Sequence, residues 1–168
     1  RFDNTIRDTK FDVTQLDMVA ARQKLIFKSE NDLKIDKRPT VRMNRSFLIN
    51  TYYPFYSRFF DELGYRLILP NAINPDGISR RSAQFCYPAE ISHGYMADML
   101  SKKADFTFLP HLKGVPSGNS ETSCTCVFVQ SEPFYLKSVF KELEEPTTLS
   151  PTIDFNDNSR DLQKVFSA

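Results

Sequence analysis

Hydrophobic positions recur along the chain in two rhythms. Leu16, Val19, Ala20, Gln23 and Phe27 follow helical spacing with one polar interruption, which predicts an amphipathic helix over roughly 14–28. The polar stretch 29–40, ending in Pro39-Thr40, reads as a linker. Beyond it the texture changes. The short apolar run SFLIN (46–50) is consistent with a buried strand, and TYYPFYSRFFDELG (51–64) follows as a helix. In that helix Thr51 is placed to cap and Pro54 in the first turn, Tyr52, Phe55, Tyr56, Phe59, Phe60 and Leu63 form the apolar face, and Gly64 ends it.

Further strands are expected at YRLILP (65–70), DFTFLP (105–110), CTCVFV (124–129) and within TTLSPTIDF (147–155). Helices are expected from Pro88, over 132–144 with Pro133 in the first turn, and over 159–166. Strands and helices alternate, and the strands are apolar runs rather than alternating ones. That combination predicts a doubly wound α/β fold of the Rossmann or flavodoxin kind, a mostly parallel sheet with helices on both faces. Residues 1–44 are assigned to a charged helical arm and linker, and 45–168 to the α/β domain. Such sheets bind ligands beyond the carboxyl ends of their strands, so chemistry is sought in the loops that lead into helices.

Composition narrows the field. The net charge of +1 gives no global field toward nucleic acid or acidic membranes, and no apolar run approaches the ~20 residues that span a bilayer. Three cysteines are an odd number and cannot close a disulfide set, so free thiols in a reducing cytoplasm are expected. The start at Arg1 rather than Met suggests a piece of a longer chain. Phosphate-binding glycine loops, nucleophile elbows and H-E-x-x-H are all missing, and two histidines build no hydrolase constellation. ATP hydrolysis by this chain alone is not expected.

Three residues remain as candidates for chemistry. Cys86 precedes Pro88 at a helix start, where the positive end of the helix dipole favours a thiolate suited to a metal. A buried sulfur filling a corner of the core is the plainer alternative. His111 follows the third apolar run, where an imidazole can ligate a metal, act as acid or base, or be an ordinary loop histidine. Cys126 belongs to a C-x-C with Cys124, and in an extended chain both sulfurs would face one way. His93 lies off the apolar face of its helix and is expected toward solvent or at an edge.

Several of these elements recur together in one family. INTYYPFYSRFFDELGYRLILP (49–70), FCYPAEISHGYMADML (85–100), DFTFLPH (105–111) and TCVFVQSEP (125–133) resemble, in order and spacing, an accessory domain of long CoA-substrate-specific enzyme activases. ARQKLIFK (21–28) is similar to the helix just upstream of that domain. The activator part of those proteins is similar to activators of 2-hydroxyacyl-CoA dehydratases, ATP-dependent iron–sulfur electron donors. The domain itself looks like a relative of the dehydratase subunits, which hold a [4Fe–4S] cluster on three cysteines. Carried over by position, the resemblance implies Cys86, His111 and Cys126 as ligands of such a cluster or of a single metal, with histidine where the family has cysteine. Histidine on an iron raises its potential. The implied partners are the ATPase module of the same chain and a dehydratase-like protein, with no nucleic acid or membrane. The alternatives are a metal-free interaction module and a CoA-thioester-binding domain.

Overall fold

Thr40–Met43 alternates half-buried and buried positions, with Val41 and Met43 turned into one side of the core. In the computed structural model this stretch is the first strand, β1, and it lies at the centre of the sheet. The structure describes residues 16–27, 37–84, 86–116 and 123–156. The expected strand at 46–50 is therefore corrected. β1 lies upstream, within the stretch assigned to the arm and linker, and Ile49 already opens a helix, α2 (Ile49–Glu62).

β1 pairs in parallel with β2 (Arg66–Ile68) on one side and β3 (Phe106–Phe108) on the other, and β3 pairs in parallel with β5 (Thr148–Leu149). The order β2-β1-β3-β5 is the expected parallel α/β sheet. Its amino edge is pinned by Asp105, whose carboxylate accepts from the Thr40 backbone N–H at 2.6 Å and from the Thr40 hydroxyl at 2.8 Å. On α2, Ile49, Tyr53, Tyr56 and Phe60 recur at near-helical intervals and cover one face, with the Phe60 ring 5.1 Å from that of Phe108. Gly64, with φ of 80°, ends this helix in the left-handed region that favours glycine. α4 (Tyr87–Leu100) and α6 (Glu132–Val139) cover the other face, where Met96, Met99, Leu109, Leu136 and Phe140 form a second cluster. A short α3 (Pro75–Ser79) lies against α4, and a Cβ on Gly77 would run into the His93 carbonyl oxygen.

Two prolines shape the far end of the sheet. Pro110 follows β3 and Pro151 follows β5, and neither has an N–H to give a ladder. The pairing nevertheless continues. The Leu109 N–H donates to the Leu149 carbonyl and the His111 N–H to the Pro151 carbonyl. The two segments then re-form as a separate parallel pair, β4 (His111–Gly114) with β6 (Thr152–Asp154). His111 thus opens a strand instead of standing in a loop.

Two other expectations are corrected. CTCVFV is not a strand: Cys124 makes a single bridge to Gly114, and Val127–Gln130 is helical (α5), capped at Cys126. The arm helix, α1, runs over Met18–Ile26 with the Asp17 carboxylate accepting from the Ala20 N–H, but Leu16 and Val19 of its predicted apolar face are exposed. It is anchored instead by Phe27, whose ring lies 4.9 Å from Tyr53 and beneath the Arg45 guanidinium at 4.2 Å. The expected helix at 159–166 lies outside the described residues. None of the helices among the described residues is long and apolar enough to cross a membrane.

Leu136 has no exposed surface and joins α6 to the second cluster. Leu136→Ala is expected to lower stability by about 2–5 kcal/mol in urea unfolding, by lost burial plus a residual cavity.

Candidate functional site

The strand order reverses between β1 and β3, so a crevice opens where their carboxyl ends diverge. Asn44 and Ser46 follow β1 into this crevice, and Leu109 and Pro110 follow β3. Phe47, at the same turn, has φ of 40°, a conformation side chains other than glycine rarely adopt. Into the crevice projects Glu132, the first residue of α6, which is only 6% exposed. Its Oε1 accepts from Asn44 Nδ2 at 2.9 Å and from Ser46 Oγ at 2.5 Å. Asn44 Nδ2 also donates to the Ser92 carbonyl at 3.2 Å, which brings α4 into the same cluster. The void among these groups is about 10 Å³, room for roughly one water and for no organic ligand.

Burial pushes the Glu132 carboxyl up to about 7, against the opposing hydrogen bonds from Ser46 and Asn44. One turn along α6, the Tyr135 hydroxyl lies 3.2 Å from Ser92 Oγ. The single Ser92 hydroxyl proton goes to the Ala89 carbonyl at 2.8 Å, so Tyr135 is the donor to Ser92. The Tyr135 ring stacks on His93 at 5.2 Å. His93 is 1% exposed and hydrogen-bonded through Nδ1 to the Ala89 carbonyl, which corrects the expectation of a solvent-facing ring. Its burial lowers its affinity for a proton. Ionisation of Tyr135 is suppressed first by burial, then by Glu132, with smaller contributions from Cys86 and Cys126.

Those two cysteines occupy equivalent places. Cys86 caps α4 with extended backbone and Cys126 caps α5, each without a side-chain capping bond, and each is a free, exposed thiol. Exposure rules out the buried-sulfur alternative for Cys86. The Cys126 segment is pinned to β4 by the Thr125 N–H on the Lys113 carbonyl, and Gln130 Nε2 reaches back to the Thr125 carbonyl at 2.7 Å.

His111 Nδ1 lies 2.9 Å from the Gln130 carbonyl. A carbonyl only accepts, so Nδ1 carries the proton and Nε2 keeps its lone pair in the neutral ring, the arrangement of many metal-bound histidines. The ring rests 4.6 Å from that of Phe134, in a surface hollow lined by Lys113, Val127 and Thr152. Among the described residues no three His, Cys, Asp or Glu side chains gather closely enough to hold a metal ion, so Cys86, His111 and Cys126 do not form one three-ligand group. Cys124 is exposed as well, and because the chain turns helical after Cys126 the two do not share a strand face.

Sequence reasoning passed over Glu132, Asn44, Ser46 and Tyr135. The available signal was Glu132-Pro133, an acidic residue at the first position of a helix. Such a residue ordinarily complements the helix dipole at the surface.

A family model described as a CoA enzyme activase uncharacterised domain matches residues 40–168. No curated protein and no solved structure matches the chain.

Because its folded-state pKa is raised, Glu132 adds stability that is complete below the carboxyl's ordinary 4.5 and is lost as pH rises through about 7. Glu132→Gln keeps an acceptor for Asn44 and Ser46 without the charge. The variant is expected to match the parent near pH 4 and to exceed it by on the order of 2–3 kcal/mol near pH 8, measured by urea unfolding at each pH. Equal stability differences at both pH values would contradict the placement of this carboxyl.

Proposed function

The chain belongs to the family described as the CoA enzyme activase uncharacterised domain, and on that premise we propose that it is an accessory module presenting a two-thiolate half-site. In this reading Cys86 and Cys126 are ligands of an iron–sulfur cluster or single metal, with further ligands supplied by the partner that docks there. That partner is the ATPase module of a CoA-substrate-specific activase or a dehydratase-like protein. The observation that carries the reading is a pair of free, exposed thiols, each at the cap of a helix start.

The fit is partial. The two thiols suit a soft metal or a cluster, whereas His111 stays bound to the Gln130 carbonyl and outside any three-ligand group. A cluster, when bound, would supply one-electron chemistry. The chain itself would supply the two thiolates.

A metal-free docking role is the second reading, favoured by the apolar side chains beside the thiols. Tyr87 follows Cys86, Val127 follows Cys126, and Phe134 stands near His111, and they are 71%, 66% and 69% exposed. These side chains would be covered by the same partner.

Anaerobic reconstitution with iron and sulfide, followed by measurement of protein-bound iron, tests the first reading. Cys86→Ser and Cys126→Ser are each expected to reduce bound iron to background, with Cys124→Ser and His111→Ala retaining most of it. Equal iron in the parent and in the Cys86→Ser/Cys126→Ser double variant would exclude metal binding at this pair. For the second reading, Phe134→Ser is expected to weaken association with the ATPase module about tenfold, as for one lost aromatic anchor, measured by calorimetry. Unchanged affinity would remove the docking role.

A further inference from the structure

The amino edge of the sheet, opposite the Glu132 cluster, carries an open crevice of about 450 Å³. Thr40, Arg42, Lys102, Lys103, Ala104 and Asp105 line it. Two of its charged side chains are already engaged. Lys102 Nζ holds the Asp98 carboxylate at 3.0 Å and the Leu69 carbonyl at 3.0 Å. Asp105 accepts from the Thr40 backbone and hydroxyl, and those bonds hold its carboxyl below the usual range, so it stays ionised. Arg42 and Lys103 are left.

Arg42 stands on the central strand and is half-buried. Its Nε donates to Thr107 Oγ1 at 2.6 Å and its Nη1 to the Lys102 carbonyl at 3.2 Å. Both acceptors are neutral. A guanidinium carries five N–H donors, so these two bonds fix the plane of the fork and leave three donors over. Nη2 has no hydrogen-bond partner among the described residues, and it is not enclosed, so solvent reaches it. No carboxylate of the described residues forms an ion pair with Arg42.

A charge drawn out of water is ordinarily paired in contact. Here burial lowers the affinity of Arg42 for its proton, and the one opposing influence is Glu142, in the 3-10 turn after α6, which acts through space. Lys103 is exposed on the wall of the same crevice and makes no ion pair among the described residues. A rigid, uncompensated fork beside a free ammonium is the donor set that binds the oxygens of phosphate or carboxylate.

We propose that Arg42 and Lys103 form the anion subsite of a small-ligand site at the amino edge of the sheet, taking a phosphate or carboxylate group. Arg42 offers its outer N–H groups to the oxygens, and Lys103 adds a second, movable charge. Asp105, on the same crevice, repels a further negative group and accepts a hydroxyl or amine of the ligand. Glu142 competes with the anion for Arg42.

The test is an NMR titration of the full chain at fixed ionic strength, following the Arg42 Nε–H and the backbone amides of Lys102, Lys103 and Asp105. Inorganic phosphate, pyrophosphate and citrate are the probes, and the tighter class identifies the oxyanion. Saturable shifts at these positions are expected. Arg42→Gln is expected to weaken binding about tenfold or more, as for lost hydrogen bonds to a charged group, and Lys103→Ala several-fold. Glu142→Gln is expected to tighten binding several-fold, a gain that a purely structural role for Arg42 would not produce. Should Arg42→Gln fail to fold, the two exposed variants decide. Shifts that do not saturate with any probe would overturn the proposal, as would binding that Arg42→Gln leaves unchanged or that is indifferent to both exposed variants.

Discussion

The Glu132 carboxylate is the constraint on which the rest of this rim depends. It is buried where the strand order reverses, and it draws hydrogen bonds from Asn44 and Ser46 just past β1. Asn44 in turn holds the Ser92 carbonyl of α4. Three elements that are distant in sequence, the end of β1, α4 and α6, are thereby fixed to one another at one point. A buried carboxylate is costly to desolvate, and two hydrogen bonds to one oxygen only partly offset that cost. The residual shows as a carboxyl that holds its proton up to about 7. What the arrangement gains is position: α4 and α6 are both tied to Asn44, and the caps of α4 and α5 are Cys86 and Cys126.

The prolines act with this cluster. Pro110 and Pro151 interrupt the β3–β5 ladder without ending it, so the chain continues past the sheet as the β4–β6 pair. β4 then supplies the surface to which Thr125 binds, and this sets where Cys126 stands. The same step brings His111 to the Gln130 carbonyl of α5.

Much of the frame was legible in the chain. The Gly64 stop, the Cys-Tyr-Pro start of α4 and the apolar β2 and β3 follow from local chemistry that the tertiary structure leaves alone. The α2 face was legible only in part: Tyr56 and Phe60 are buried, but Phe55 and Leu63 are exposed, Ile49 and Tyr53 are buried in their place, and the helix starts at Ile49, so Thr51 does not cap it and Pro54 lies beyond the first turn. β1 was obscured because its inner strand alternates and carries Arg42, whose Nε donates to Thr107 at 2.6 Å on the second face. An arginine there reads as surface until its partner strand is known. SFLIN misled because a short apolar run has no period to separate strand from helix. CTCVFV misled through its β-branched residues, since the backbone of Val129 and Gln130 turns back to the Cys126 carbonyl. The thiols were legible as site candidates because helix starts are readable. Glu132 was not, because its burial is a product of strand order, which no local pattern encodes.

The claim that two thiols distant in sequence share one rim is tested most directly by spin-labelling Cys86 and Cys126 in a Cys124→Ser chain and recording the electron paramagnetic resonance spectrum. Strong dipolar broadening in the native protein, lost on unfolding, is the result the proposed half-site predicts. A native spectrum equal to the sum of the two singly labelled chains would contradict it.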